Sequence, residues 1–293
     1  MENVNRNHKN SVFSSLFSTP DVLRELYSAI EGIPIPQDIP IDINTLTDIL
    51  YKGQINDVSF LIDNRLVVLI EHQSTVNDNI PLRLLMYIAR VYEKIINRKK
   101  LYQSKLEKIP SPEFIVLYNG EKEHPDFKEL KLSDAFKDIE GLKLSSIDKI
   151  PLELIVQVYN INHGHNPEIL KRSETLGSYS IFINKIREYQ KEKDSLEKAA
   201  RSAIIYCINN NILKDYLEAH ASEVLNMLLT EWNQDEAVEV AREEGREEGH
   251  ENGLKEGKLI IAKNLLAKGS TLEFVCEITG LSPEEIEEIE LNE

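Results

Sequence analysis

The chain has 293 residues, 41 % hydrophobic and 7 % aromatic, enough for a real core, and its net charge of −16 excludes a generic nucleic-acid binder. The charge is uneven: from Asn233 onward 17 acids face 6 bases, a net of −11, which leaves −5 on residues 1–232. Any nucleic-acid face must therefore be a local basic patch on the first part. No run of about 18 apolar residues exists, and the opening MENVNRNHKNSVFSS lacks the apolar core of a signal peptide, so a cytoplasmic protein without a membrane span is expected. Cys207 and Cys276 each fall inside an amphipathic pattern and read as packing residues in a reducing compartment.

In chain order, residues 1–12 are polar and expected to fray. Thr19-Pro20-Asp21 starts a helix with the stripe Leu23, Leu26, Tyr27 and Ile30, and Gly32 closes it. Residues 33–45 alternate apolar residues with Pro and Asp, as an extended crossing does, and residues 46–51 form a short turn or strand.

Residues 57–73, DVSFLIDNRLVVLIEHQ, organise the rest. Two β-branched runs around Asp63-Asn64-Arg65 read as a hairpin, and the return strand, apolar on both faces, belongs in the middle of a covered sheet. Its end puts Glu71 and Gln73 on one face and His72 on the other. Register decides whether Asp57 joins them. A two-residue turn sets Asp57 opposite Ile70. A three-residue loop pairs Ile62 with Leu66, and so Asp57 with Glu71, Cβ atoms about 5 Å apart. Two carboxylates that close need a cation between them, and a hard, oxygen-liking one such as Mg²⁺ is the economical choice. The competing reading leaves Asp57 in solvent and pairs Glu71 with Arg83 or Arg90.

After a polar loop, Pro81 opens a helix running to about Lys100, with Arg83, Arg90 and Lys94 flanking its apolar stripe at i, i+7 and i+11. They read either as a solvated face or as phosphate contacts beside the hairpin's polar end. Residues 112–120 form a buried strand, residues 121–150 are charged and irregular with a weak helix near 132–139, and residues 151–160 form another strand. The loop Asn162-His163-Gly164-His165-Asn166 offers two His at i, i+2, a weak metal signal. Helical stripes follow at 176–189, 195–209 and 212–232.

Gly245, Gly249, Gly253 and Gly257 recur every four residues in a Glu-rich stretch. At about 1 kcal/mol each, they describe a weakly helical, partner-dependent stem. Residues 259–267, 271–279 and 282–289 form short helices of helix-turn-helix type. The last carries Glu284, Glu285, Glu287, Glu288 and Glu290, too acidic for a DNA reader, so a protein–protein role fits it better. The organisation expected is a core over 1–172, a helical extension packed on it over 173–235, a Glu/Gly stem over 236–258 and an acidic helical hairpin over 259–293.

The order helix, hairpin bearing Asp…Glu-x-Gln, helix and strand is that of the PD-(D/E)XK phosphodiesterase core. Together with Glu71-His72-Gln73-Ser74, Pro81-Leu82-Arg83-Leu84-Leu85-Met86-Tyr87, Leu117-Tyr118-Asn119-Gly120, Val158-Tyr159-Asn160-Ile161-Asn162 and the Glu-Gly tail, it closely resembles the Rpn family of recombination-promoting nucleases, also labelled transposase candidates. The resemblance runs from about residue 10 to the end. It implies an α/β fold, a mixed sheet flanked by helices in a restriction-endonuclease-like PD-(D/E)XK core with a helical C-terminal extension. It also implies a metal-dependent DNA endonuclease linked to recombination and mobile elements. Asp57 and Glu71 would be metal ligands, joined by the backbone carbonyl of His72, for Mg²⁺ or else Mn²⁺ or Ca²⁺. Gln73 stands where the wider superfamily usually has Lys, so it would orient water or phosphate without supplying charge. An acid from the first helix, Glu25 or Glu31, completes many such sites. The partners expected are DNA, through Arg83, Arg90 and Lys94, and further copies of the chain through its tail. The rival reading is a catalytically weak or inactive DNA-associated assembly protein that keeps the core as scaffold.

Overall fold

The computed structural model of the chain describes residues 11–43, 57–75, 77–137, 152–192 and 195–282. The turn or strand expected over 46–51 and residues 283–289 of the last expected helix lie outside the described residues. The chain divides into two units, Met1–Leu229 and Thr230–Glu293.

The first unit opens with helices α1 (Val12–Leu16) and α2 (Pro20–Glu31), then strands β1 (Ile41–Ile43), β2 (Asp57–Ile62) and β3 (Leu66–Gln73). Helix α3 (Ile80–Ile95) leads to β4 (Ser111–Tyr118), β5 (Phe127–Lys131) and β6 (Ile155–Asn160). Helices α4 (Pro167–Arg172), α5 (Glu174–Glu192) and α6 (Leu196–Asn209) follow, and then α7 (Lys214–Ala267), which has non-helical angles at His220 and whose residues from Thr230 on belong to the second unit. The sheet order is β1-β2-β3-β4-β6-β5, with β3, β4 and β6 parallel and the other neighbours antiparallel. This is a mixed sheet flanked by helices, the α/β architecture of a PD-(D/E)XK-like core.

The hairpin takes the longer of its two loops. Asp63 and Asn64 both have φ of +50°, and the Arg65 N–H donates to the Ile62 carbonyl at 3.0 Å. Short Asp and Asn side chains tolerate this left-handed turn, and Arg65 adds the third loop residue. Ile62 therefore pairs with Leu66 and Asp57 with Glu71. Because side chains alternate along a strand, Val67 and Leu69 join Phe114, Val116, Val156 and Val158 in a core covered by Leu84, Ile88 and Val91 of α3. On the opposite face Phe60 meets the Tyr27 ring of α2, and His72 meets Phe13 of α1 and Tyr179 of α5.

Helix α2 begins at Pro20 and ends where Gly32 takes a φ of +71°. Its buried Arg24 donates to the carbonyls of Pro36 at 2.6 Å and Ile39 at 2.8 Å, which ties down the proline-rich crossing. Three of the departures from expectation have a plain local cause. Helix α1 lies where fraying was expected at 11–12, because Ser11 caps it and Val12 and Phe13 are fully buried. Strand β5, FKELK, is an edge strand whose alternating charge hid it. Helix α3 stops at Ile95, short of 100: Ile96 is extended, and the Asn97 side chain caps a new 3₁₀ turn over Arg98–Tyr102.

In the second unit, α8 (Leu272–Thr279) packs Val275 against Ala262 and Leu281, with Thr271 capping its start and Gly280 left-handed at its end. The glycine-rich stretch lies within α7. A Cβ added at Gly249, Gly253 or Gly257 would meet nothing within 4 Å, so no neighbour among the described residues presses on that stripe.

Candidate active site

The site forms where β3 leaves the sheet. Glu71 is only 3 % exposed. Its Oε1 accepts from the Gln73 Nε2 at 2.8 Å and from an Arg83 guanidinium nitrogen at 2.5 Å. Its Oε2 is buried with no hydrogen-bond partner among the described residues. Burial raises the Glu71 pKa above the usual carboxylate range, while Arg83 and Gln73 pull it back. Three residues of the expected site thus converge, and the backbone of Asp57 stands opposite Glu71 as its cross-strand partner.

The strand exit is held tightly. The Asn119 N–H donates to the Gln73 carbonyl at 2.9 Å, and a Cβ on Gly120 would sit 1.9 Å from the Ser74 carbonyl oxygen. Only glycine lets the chains leaving β3 and β4 come that close. The asparagines of the Leu-Tyr-Asn-Gly and Tyr-Asn-Ile-Asn stretches knit the same end. Asn160 donates to the His124 carbonyl, Asn162 to the Gly120 carbonyl, and Arg187 of α5 to Asn162 Oδ1 and the Asn119 carbonyl.

His72 faces away from Glu71, as alternation requires. Its ring stacks on Phe13 at 4.5 Å and its Nε2 lies 3.1 Å from the Tyr179 hydroxyl. Burial, aided by Arg187, lowers its pKa to about 3, so the ring is neutral and structural. Tyr179, which positions it, falls in an expected helical stripe, and Phe13, which stacks on it, lies just past the stretch expected to fray. Their apolar spacing carries no sign of a role in the site.

Neither first-helix acid reaches Glu71. Glu25 Oε1 accepts from the Ser173 hydroxyl at 2.7 Å and the Thr175 N–H at 3.0 Å, and Oε2 from the Thr175 hydroxyl at 3.2 Å. It caps α5. Glu31 stands beside Glu113, which accepts a hydrogen bond from Tyr27 and whose pKa burial raises. Arg83 is half-buried on Glu71, Arg90 lies half-buried farther along α3, and Lys94 is exposed in its last turn. Arg83 thus meets the competing reading halfway, as an ion partner of Glu71. His165 is bonded to Asp126 at 2.6 Å, and no group of three or more His, Cys, Asp or Glu among the described residues could hold a metal. No helix among them is long and apolar enough to cross a membrane.

Residues 43–238 match the family model described as "Putative transposase, YhgA-like", and residues 255–290 match that of the C-terminal HTH domain of the Rpn/YhgA-like nuclease family. No curated protein and no solved structure matches the chain. The first match spans most of the chain and includes the whole hairpin with Glu71 and Gln73, and the second falls on the small helical unit around α8. The chain belongs to the Rpn/YhgA-like nuclease family.

Proposed function

We propose that the protein is a metal-dependent DNA endonuclease that hydrolyses phosphodiester bonds, with Asp57, Glu71 and Gln73 as its catalytic set. The observation that carries this reading is the orphaned Glu71 Oε2, a buried carboxylate oxygen beside the cross-strand position of Asp57. A native interior rarely leaves such an acceptor without a partner. Hard oxygen donors of this kind suit Mg²⁺, or Mn²⁺ and Ca²⁺, and the residues that would hold it are Asp57, Glu71 and the carbonyl of His72. Bound there, the ion would supply Lewis-acid chemistry, making a water more acidic and offsetting phosphate charge.

The chain's own groups do the rest. Gln73, held on Glu71 by its amide nitrogen, keeps its carbonyl oxygen to orient the attacking water. Arg83 neutralises Glu71 while no cation is bound and can swing to a phosphate oxygen when one is, and Arg90 and Lys94 extend phosphate contact along α3. The helix-turn-helix unit adds either a DNA contact or, given its acidity, an assembly contact between copies.

A second reading, a catalytically weak DNA-associated scaffold, is favoured by the Glu71–Arg83 pair, which gives Glu71 a cation without any metal. Plasmid nicking separates the two. Wild-type protein nicks with Mg²⁺, Mn²⁺ or Ca²⁺ and stops with EDTA, while folded Asp57→Ala and Glu71→Ala lose activity by at least about a hundredfold. No cutting with any of the three ions, or an Asp57→Ala protein as active as wild type, rejects the enzyme.

A further inference from the structure

The acidity of this chain hides one basic segment. Residues 80–110 carry eight bases and two acids, a net of +6, so the remainder stands at −22. Five of the bases, Arg98, Lys99, Lys100, Lys105 and Lys108, fall in the arm between α3 and β4, and the first four lie within four residues of Tyr102, which is 92 % exposed.

The arm is built rather than trailing. Asn97 caps its 3₁₀ turn, the Tyr92 hydroxyl donates to the Pro110 carbonyl at 2.7 Å, and the Ser111 N–H donates to the Arg65 carbonyl at 2.8 Å. Topology fixes its place. Helix α3 starts beside the Glu71 end of β3, and the arm returns to β4 where Ser111 pairs with Leu66, at the other end of that strand. The 16 residues of α3 span about 24 Å at 1.5 Å each, the length of roughly 7 base pairs. Arg98 pairs with Glu93 and Lys100 with Glu107, but exposed pairs of this kind are worth little and yield to a stronger anion. Lys99, Lys105 and Lys108 have no ion pair among the described residues.

We propose that the arm 97–110 is a second nucleic-acid contact, holding the phosphate backbone of DNA about two-thirds of a helical turn from the cutting site, with Tyr102 against the bases or sugars. This deepens the nuclease reading and rests on DNA being its substrate. Charge complementarity selects the partner: a concentrated positive patch on an otherwise strongly negative protein attracts a polyanion.

The test is equilibrium binding by the full chain in EDTA, where nothing is cut, to a labelled duplex of about 20 base pairs and to the matching single strand, over a range of salt. The triple variant Lys99→Gln/Lys105→Gln/Lys108→Gln binds at least about tenfold more weakly near 0.1 M salt. Its log–log salt slope falls by about 2.7 on the duplex, or by about 2 if single strand is the arm's ligand. Tyr102→Ala weakens the single strand several-fold if bases stack on the ring and leaves the duplex nearly unchanged. A control triple, Lys137→Gln/Lys171→Gln/Lys191→Gln, binds as wild type does. Unchanged affinity and slope for the arm variant on both DNAs overturns the proposal, and so does equally tight binding to poly-glutamate of matched charge. A protein that binds through the arm yet cuts nothing loses the catalytic reading alone. One that cuts and binds equally well with the arm neutralised loses the arm alone.

Discussion

Glu25 and Glu71 are carboxylates on opposite sides of one sheet, and they meet opposite fates. Both oxygens of Glu25 are filled by Ser173 and Thr175 at the start of α5, where the helix dipole also welcomes a negative charge. Glu71 is more deeply buried, yet one oxygen is doubly bonded and the other has no partner among the described residues. On the proposed reading Glu25 is saturated because it serves stability, and Glu71 keeps an oxygen open because it serves chemistry.

The sharpest way to break this contrast is to remove each acid in turn. Glu71→Ala abolishes metal-dependent nicking by at least about a hundredfold while the protein keeps its fold, measured by circular dichroism beside a plasmid assay. Glu25→Ala nicks normally per folded molecule but melts earlier. Losing charge-assisted bonds and a helix cap costs about 2 kcal/mol, which in a chain of this size lowers Tm by roughly 4–8 °C. Nicking lost in Glu25→Ala at temperatures where it is folded would make it part of the site after all.

Arg83 sharpens the comparison next. Its guanidinium stands in for a cation on Glu71, so it competes with one. Arg83→Ala loses about 1–3 kcal/mol of stability in EDTA, because a buried carboxylate is left uncompensated. Adding Mg²⁺ then raises its Tm by more than it raises that of wild type, and calorimetry gives tighter ion binding to the variant. Equal metal-induced shifts in both proteins would mean that no ion binds at Glu71, and the scaffold reading would gain.

Much of this geometry was legible in the sequence because strands are simple. Period-two alternation puts Glu71 and Gln73 on one face and His72 on the other, and Asp-Asn before Arg65 leaves only two registers to choose between. The choice itself was not legible. It hinges on whether Arg65 joins the turn, a single-residue matter of backbone angle. The role of Glu25 was hidden for a different reason: its partners lie some 150 residues away, and no local pattern announces a helix cap made by another helix. Strand β5 escaped because an edge strand with alternating Lys and Glu carries no apolar signal. The basic arm was visible as composition but was absorbed into the expected end of α3, since the capping by Asn97 that stops the helix depends on one side chain.

The smallest effect is a slope. Burial raises the Glu71 pKa, so its folded value lies above its unfolded one. Such a group supports the fold fully below the unfolded carboxylate pKa, and that support fades as pH rises through the folded value. In EDTA, the stability of wild type relative to Glu71→Gln therefore falls as pH climbs from about 4.5 toward neutrality, because glutamine keeps the shape and carries no charge to desolvate. Chemical denaturation of the two proteins at matched pH reads this as a widening gap in midpoint. Saturating Mg²⁺ reverses the sign: an ion that binds only the ionised carboxylate rewards its deprotonation, and wild type gains on the variant as pH rises. Glu25→Gln responds to added metal as wild type does, since both Glu25 oxygens are already taken. A gap that stays flat with pH in EDTA and does not respond to Mg²⁺ would place Glu71 beside Glu25, as one more structural acid.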